Sequence, residues 1–115
     1  MLGSESVTIA ALTSALDGLA ARQRAIADNI ANINTPNYHA ERVLFEDALA
    51  QSVKEGSGEV TPAIRRSLEP TREDGNNVNL DTETLSNVDT VLRYQFAARA
   101  VDAPFANVRA AMGMA

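Results

Sequence analysis

A long apolar stripe near the N-terminus constrains the fold of this 115-residue chain more than any other feature. Its members are separated by three and four residues in alternation: Ile9, Leu12, Leu16, Leu19, Gln23, Ile26, Ile30 and Ile33. This spacing places them on one face of a helix and is typical of helices that pack lengthwise against another helix. Gln23 is the single polar member, and such a residue commonly fixes the register of the pairing. The pattern predicts a helix over residues 5–33, about 43 Å long at 1.5 Å per residue.

A second stripe with the same alternation lies near the C-terminus. Its members are Val91, Tyr94, Ala98, Val101, Phe105, Val108 and Met112, and a neighbouring apolar row adds Leu85, Val88, Leu92 and Phe96. The helix is expected to begin near Asp81, with Asp81 or Asn79 as the N-cap and Glu83 in the first turn. Pro104 is expected to kink or break it.

The segment between the two stripes is predicted to be mostly irregular. Pro36-Asn37 suits the centre of a type II turn, in which the second residue needs positive φ. A short helical piece follows over 43–49, and glycines and prolines mark residues 54–77 as a loop with one extended segment near 63–68. We therefore expect an all-α fold of two long terminal helices packed as an antiparallel coiled coil. The chain forms one unit, 1–115, with divisions 1–34, 35–80 and 81–113.

Alanine dominates the apolar composition and favours assembly. The sequence holds 20 alanines and 5 aromatic residues, and eight alanines lie in each of the two terminal regions, 10–31 and 97–115. A two-helix pair cannot bury all of these small faces, so other copies or related chains are the expected partners. The net charge of −5 is spread without a basic patch, which argues against nucleic-acid binding.

No pattern of catalytic or metal-binding residues is present. There is no cysteine and His39 is the single histidine, so an ordinary zinc site cannot be assembled. The segment 74–85 fails the calcium-loop pattern and is interpreted as a turn followed by a helix cap. The carboxylate pairs Glu46/Asp47 and Asp81/Glu83 are interpreted as solvated faces. We expect no enzyme activity, cofactor or metal.

Two motifs resemble segments of the flagellar basal-body rod protein family. Residues 27–38 end the first helix and resemble the Asn-x-x-Asn-x-x-Thr-x-Gly-Tyr signature of rod and hook proteins. Asn29, Asn32, Thr35 and Tyr38 match it, Pro36 lies within it, and Asn37 replaces the usual glycine. Residues 74–83 and 92–95 resemble the family's C-terminal segment. The short middle resembles the proximal class of the rod, because distal relatives carry large β-rich insertions.

The resemblance implies a structural role in flagellum-dependent motility. Family members form a periplasmic rod that transmits torque from motor to hook, with the terminal helices in its inner coiled-coil layers. The implied partners are other copies, other rod subunits, the rod-base adaptor and, in transit, the flagellar type III export apparatus. The sequence shows no cleavable signal and no membrane span, which alone would indicate the cytoplasm, but this export route predicts the lack of a signal. Two alternatives remain: the other short proximal rod subunit, and a soluble helical adaptor or export chaperone.

Overall fold

Three helices and a two-stranded sheet make up the fold. The computed structural model describes the backbone of residues 2–111 and the side chains of residues 5–102. In chain order the elements are α1 (Leu2–Ala31), β1 (Glu41–Leu44), α2 (Glu46–Lys54), β2 (Ala63–Arg66) and α3 (Leu80–Ala111). The molecule is elongated, with extents of 62 × 31 × 14 Å. Within residues 2–111, no helix is long and apolar enough to cross a membrane.

The two long helices pack against each other, as the stripes predicted. Asn29, near the end of α1, contacts Glu83, near the start of α3, whereas Leu19 shares the core with Ala97 further along α3. The helices therefore run in opposite directions. The buried core cluster is small and consists of Leu19, Ala25, Val43, Phe45 and Ala97.

The expected all-α class is wrong in one respect, because the structure also contains a small sheet. β1 and β2 pair antiparallel, with Glu41 opposite Arg66 and Leu44 opposite Ala63. The extended segment predicted near 63–68 is confirmed as β2, but the helix predicted over 43–49 begins only at Glu46. Four-residue strands are too short to show a clear alternating pattern, and Val43 is drawn into β1 because its side chain is buried in the core.

The end of α1 is defined by side-chain and backbone hydrogen bonds. The helix ends at Ala31, so Ile33, predicted to belong to it, lies beyond its end. The Asn32 amide donates to the Asp28 carbonyl at 2.8 Å, which occupies a carbonyl group of the last turn. The predicted positive φ of Asn37 is confirmed at 63°, and the Tyr38 N–H closes the turn on the Thr35 carbonyl at 3.2 Å.

The start of α3 follows the prediction, and of the kink or break expected at Pro104 the break does not occur. The Asn79 carboxamide oxygen accepts from the Thr82 N–H at 3.1 Å, so Asn79 is the N-cap. The helix continues through Pro104 to Ala111, and the break expected there is not observed. Alanine has the highest helix propensity, and the alanine-rich sequence on both sides of Pro104 favours helix there, although Pro104 itself removes one backbone hydrogen bond.

Arg22 connects α1 to the junction between β1 and α2 through side-chain hydrogen bonds. Its guanidinium donates to both Glu46 carboxylate oxygens at 2.7 Å and to the Val43 carbonyl at 2.6 Å. Its Cζ atom also lies 4.9 Å from the centre of the Phe45 ring, within cation–π range. The hydrogen bonds that Arg22 donates to Glu46 lower the pKa of the Glu46 carboxyl below its ordinary value. Partial burial raises this pKa, but by less.

Gly18 provides the space that the Phe45 ring occupies against α1. A Cβ atom placed on Gly18 would lie 2.6–2.7 Å from three ring carbons. Glycine within a helix costs about 1 kcal/mol relative to alanine, and here close packing of the aromatic ring explains its presence.

We predict that Gly18→Ala destabilises the fold although it improves helix propensity. Overpacking typically costs about 1–3 kcal/mol, against a propensity gain of about 1 kcal/mol, so the free energy of unfolding should fall by up to about 2 kcal/mol. Urea denaturation of the full chain measures this. In a Phe45→Leu background the added methyl group should cost less, because the smaller side chain can move aside. A stabilisation by Gly18→Ala would contradict the packing argument.

We also predict that the contribution of Glu46 to stability depends on pH. Since folding lowers its pKa, the ionised carboxylate stabilises the folded state above the unfolded pKa of about 4.3. This contribution is lost as the pH falls through the lowered folded value. The loss of stability caused by Glu46→Gln should therefore be largest near pH 7 and shrink below about pH 4. In an Arg22→Leu background most of the pH-dependent difference should disappear, because only backbone hydrogen bonds and Arg93, 3.8 Å from the carboxylate, still favour its ionised form. A difference that persists undiminished would show that Arg22 is not its main cause.

Candidate functional site

A buried polar junction joins the end of α1, strand β1 and the start of α3. Asn29 lies at its centre and is fully buried. Its amide nitrogen donates to the Glu41 carbonyl at 3.0 Å and to Glu83 Oε1 at 3.1 Å. Its oxygen accepts from the Glu41 N–H at 2.8 Å and from the Tyr38 hydroxyl at 3.3 Å. One side chain thus fixes three elements relative to one another.

Glu83 contributes the buried charge of the junction. Its side chain is fully buried, and Arg42 Nη1 donates to its Oε1 at 2.7 Å. Glu83 Oε2 and Arg42 Nη2 are buried without a hydrogen-bond partner, although Nη2 lies 3.7 Å from Glu69 Oε2. The interpretation of Glu83 as part of a solvated face is therefore wrong. Its partner lies 41 residues away, where no local pattern could indicate it.

The segment that precedes α3 is clamped onto the turn that follows α1. Asn76 donates to the carbonyls of Asn32 and Thr35, both at 2.8 Å, and the Asn37 N–H donates to the Asp74 carbonyl at 2.8 Å. The two motifs that carried the resemblance therefore lie against each other.

Asn77 extends the junction to the sheet. Its oxygen accepts from the Ala40 N–H at 2.7 Å, and its nitrogen donates to the carbonyls of Ser67 and Glu69 at 3.2 and 3.1 Å. Arg72 donates to the Val78 carbonyl at 2.6 Å and to the Ile33 carbonyl at 2.5 Å. These bonds order part of the segment that glycines and prolines marked as a loop.

The turn-motif residues differ in their burial. Asn29 is buried, Asn32 and Tyr38 are half-buried, and Thr35, Pro36 and Asn37 are exposed. Burial raises the pKa of the Tyr38 hydroxyl, and the nearby carboxylates of Glu41, Asp28 and Glu83 act in the same direction. The motif thus has an inner side that forms the junction and an outer side that faces solvent.

The stripe residues do not form one continuous buried seam within the chain. Leu19 and Ile26 are buried, and Ile30 and Tyr94 are more than a third exposed. Half-buried side chains are found at Leu12, Leu16, Gln23, Ile33, Val91, Ala98 and Val101. The side chains of Phe105, Val108 and Met112 lie outside the described residues. The stripes are therefore only partly covered by the contact between α1 and α3.

An exposed apolar row runs along α3 and is the candidate assembly surface. Leu85, Val88, Leu92 and Phe96 are 72%, 53%, 61% and 78% exposed. At about 100° per residue they lie on the side of α3 opposite Glu83, Thr90 and Ala97, which are buried. The row cannot reach α1 of its own chain. Exposed large apolar side chains grouped in this way mark interaction surfaces.

The described residues hold no group of three or more His, Cys, Asp or Glu side chains that could bind a metal ion. One open groove on the described surface lies between residues 10–17 of α1 and the loop 59–61. The sequence interpretation missed the ion pairs Arg42–Glu83 and Arg22–Glu46. It also missed Asn76 and Asn77, whose side chains hold the segment before α3 against the turn and the sheet. A signal that could have found the clamp is the run of polar residues at 74–79, which is unusually rich in asparagine.

Comparison with known proteins gives a consistent result. The sequence profile of the family described as "Flagella basal body rod protein" matches residues 9–39, which include most of α1 and the turn motif. The flagellar basal body rod protein FlgB of Borrelia hermsii is 30% identical over 102 residues, which cover 69% of this chain and 76% of that protein. FlgB of Bacillus subtilis (strain 168) is 28% identical over 118 residues, which cover 90% of this chain and 92% of that protein.

We predict that Glu83→Ala strongly destabilises the fold, because it leaves the buried part of the Arg42 guanidinium without its carboxylate. The free energy of unfolding should fall by more than about 2 kcal/mol. Asp81→Ala, an exposed carboxylate in the same turn, should cost less than about 1 kcal/mol. The double variant Arg42→Met with Glu83→Leu should recover part of the loss, since it removes both charged groups. Equal costs for Glu83→Ala and Asp81→Ala would refute the buried junction.

Proposed function

Because the chain belongs to the flagellar basal body rod protein family and is FlgB-like, we propose that it polymerises through its terminal helices as a subunit of the proximal rod. The family is one of structural proteins of the flagellar basal body. The observation that supports polymerisation most directly is the exposed row Leu85, Val88, Leu92 and Phe96, an apolar surface that no part of the chain covers among residues 5–102.

The terminal helices have two roles in this proposal. Within one subunit, α1 and α3 form an antiparallel pair that buries Leu19 and Ala97. Between subunits, the exposed row of α3 packs in coiled-coil fashion against helices of neighbouring copies and of other rod proteins. The half-buried stripe positions, with Leu16 and Val101 among them, complete the contact. The whole chain, 1–115, acts as a single rod unit.

Transmission of torque requires that each subunit keep its shape under load. The polar junction around Asn29 supplies this, because directional hydrogen bonds hold the helices and the sheet at fixed angles. A rod built from such units carries rotation from the motor to the hook for flagellum-dependent motility. The rod lies in the periplasm, and its base contacts the rod-base adaptor. Subunits reach it through the flagellar type III export apparatus without a cleaved signal.

The buried position of Leu19 and Ile26 decides which substitutions can test assembly. Aspartate at either position would disrupt the core of a single subunit, so a loss of motility there would report on folding. Leu92 and Phe96 are the informative positions, since their side chains are exposed in the isolated chain.

We predict that Leu92→Asp and Phe96→Asp each abolish assembly while the subunit is still folded and exported. A charge placed in an apolar contact between subunits is left desolvated and unpaired. Swimming in soft agar and counts of rods in purified basal bodies from a complemented deletion strain should each fall at least about tenfold. Val53→Asp, an exposed apolar position on α2, serves as the matched control and should retain motility.

Normal rods and motility in both α3 variants would overturn polymerisation through this surface. The alternative of a soluble adaptor or export chaperone predicts a different result. In that case purified basal bodies would lack the chain, and the variants would change the export of another protein.

A further inference from the structure

The two outer edges of the small sheet differ in how their backbone groups are bonded. On the β1 side, the Asn29 side chain bonds both the N–H and the carbonyl of Glu41, at 2.8 and 3.0 Å. Arg22 donates to the Val43 carbonyl at 2.6 Å. The outward-facing groups of β1 are thus largely satisfied by side chains of α1, so this edge is closed to another strand.

The outer edge of β2 is open. The Ser67 N–H donates to the Ala40 carbonyl at 2.7 Å, and in an antiparallel pair the bonded positions alternate. Ala63 and Arg65 therefore direct their backbone groups toward β1, and Ile64 and Arg66 direct theirs outward. Among the described residues, the outward N–H groups of Ile64 and Arg66 donate to no acceptor, and the Ile64 carbonyl meets only the side chain of Arg65.

The side chains along this edge are apolar and basic. Ile64 is 57% exposed and Leu68 is 98% exposed. Arg65 and Arg66 are also exposed, and neither forms an ion pair within residues 5–102. In a chain of net charge −5, two adjacent arginines without a carboxylate partner make this edge a local positive surface.

We propose that the outer edge of β2 binds an extended, acidic segment of a different protein as a third strand. Outward backbone groups of Ile64 and Arg66 pair with the backbone of that segment, which is the usual mode of strand addition. Because side chains alternate between the two faces of a strand, its carboxylates on one face pair with Arg65, and its apolar side chains on the other face cover Ile64 and Leu68, next to Arg66. The surface is distinct from the exposed row of α3 and does not depend on polymerisation.

A second copy of this chain does not fit the same edge. Its β1 edge is occupied by Asn29 and Arg22, so it could offer only its own β2. Symmetric antiparallel pairing of two β2 strands through the outward groups of Ile64 and Arg66 must be centred on Arg65 or on Arg66, and either register places an arginine directly opposite its own copy. Like charges directly opposite each other destabilise a strand pair. The same repulsion protects the edge from aggregation until an acidic strand binds.

A synthetic peptide can test the proposal on the full-length chain. The probe is a capped octapeptide of alternating valine and glutamate, titrated into ¹⁵N-labelled protein at 50 mM salt. Because the edge is only four residues long, we expect a dissociation constant on the order of 10⁻⁴–10⁻³ M. Amide exchange of Ile64 and Arg66 should slow at least about tenfold near saturation, while that of Arg65, already bonded to β1, should change little.

Matched probes separate backbone pairing from charge. Replacing glutamate by lysine in the peptide should weaken binding at least about tenfold, and the charge reversal R65E with R66E should invert this preference. N-methylation of alternate peptide amides should abolish protection of Ile64 and Arg66. Ile64→Pro removes an outward N–H and the exposed isoleucine side chain without removing a hydrogen bond to β1, and should weaken binding by at least roughly fivefold. The N-methylated peptide, titrated into the unsubstituted chain, tests the same backbone pairing without altering the sheet.

Four results would overturn the proposal. The first is the absence of amide chemical-shift changes at 5 mM peptide, which is roughly five times the weakest expected dissociation constant. The second is that the lysine peptide binds as tightly as the glutamate peptide, and the third is that binding survives N-methylation. The fourth is that protection of the Ile64 amide rises with protein concentration alone. The last would identify a second copy as the occupant. None of them bears on the α3 row, whose test is rod assembly.

Discussion

The buried side chain of Asn29 is the contact on which the arrangement of the chain depends. It bonds both backbone groups of Glu41 and the carboxylate of Glu83, at distances of 2.8 to 3.1 Å. An asparagine amide can donate twice and accept twice, and all of this capacity is used here by groups from β1, the turn and α3. The angle at which the chain leaves α1 and the position at which α3 begins are therefore set by one residue.

Polar contacts carry this role because the apolar core is small. The core cluster has five members, and two of them are alanines, so burial of apolar surface alone specifies the packing only weakly. A network of hydrogen bonds is directional and costly to leave half-formed, which favours a single geometry. The buried pair Glu83–Arg42 adds to specificity more surely than to stability, since burial of its charges opposes their attraction.

The sequence was sufficient where a feature depends on neighbouring residues and insufficient where it depends on distant ones. The two long helices, a cap for the second at Asp81 or Asn79, and the positive φ of Asn37 follow from local spacing and residue type; the structure has both helices, the cap at Asn79 and the positive φ. The burial of Glu83 depends on Arg42, and the purpose of Gly18 depends on Phe45. A heptad stripe also predicts that a helix packs lengthwise, but it does not predict which surface the helix packs against. For this reason it did not separate buried Leu19 from the half-buried Leu12.

The division of labour between polar and apolar groups explains how one short chain can present two different surfaces. Apolar contacts have little directional preference, so the exposed row on α3 could seat neighbouring helices over a range of angles. The hydrogen-bonded junction removes that freedom, because α3 and the two-stranded sheet are both fixed to the end of α1 through Asn29. Any partner on the α3 row is then placed at a defined distance from the β2 edge. In the proposed rod, the first surface would supply association and the second would select, by charge, which partner lies beside it.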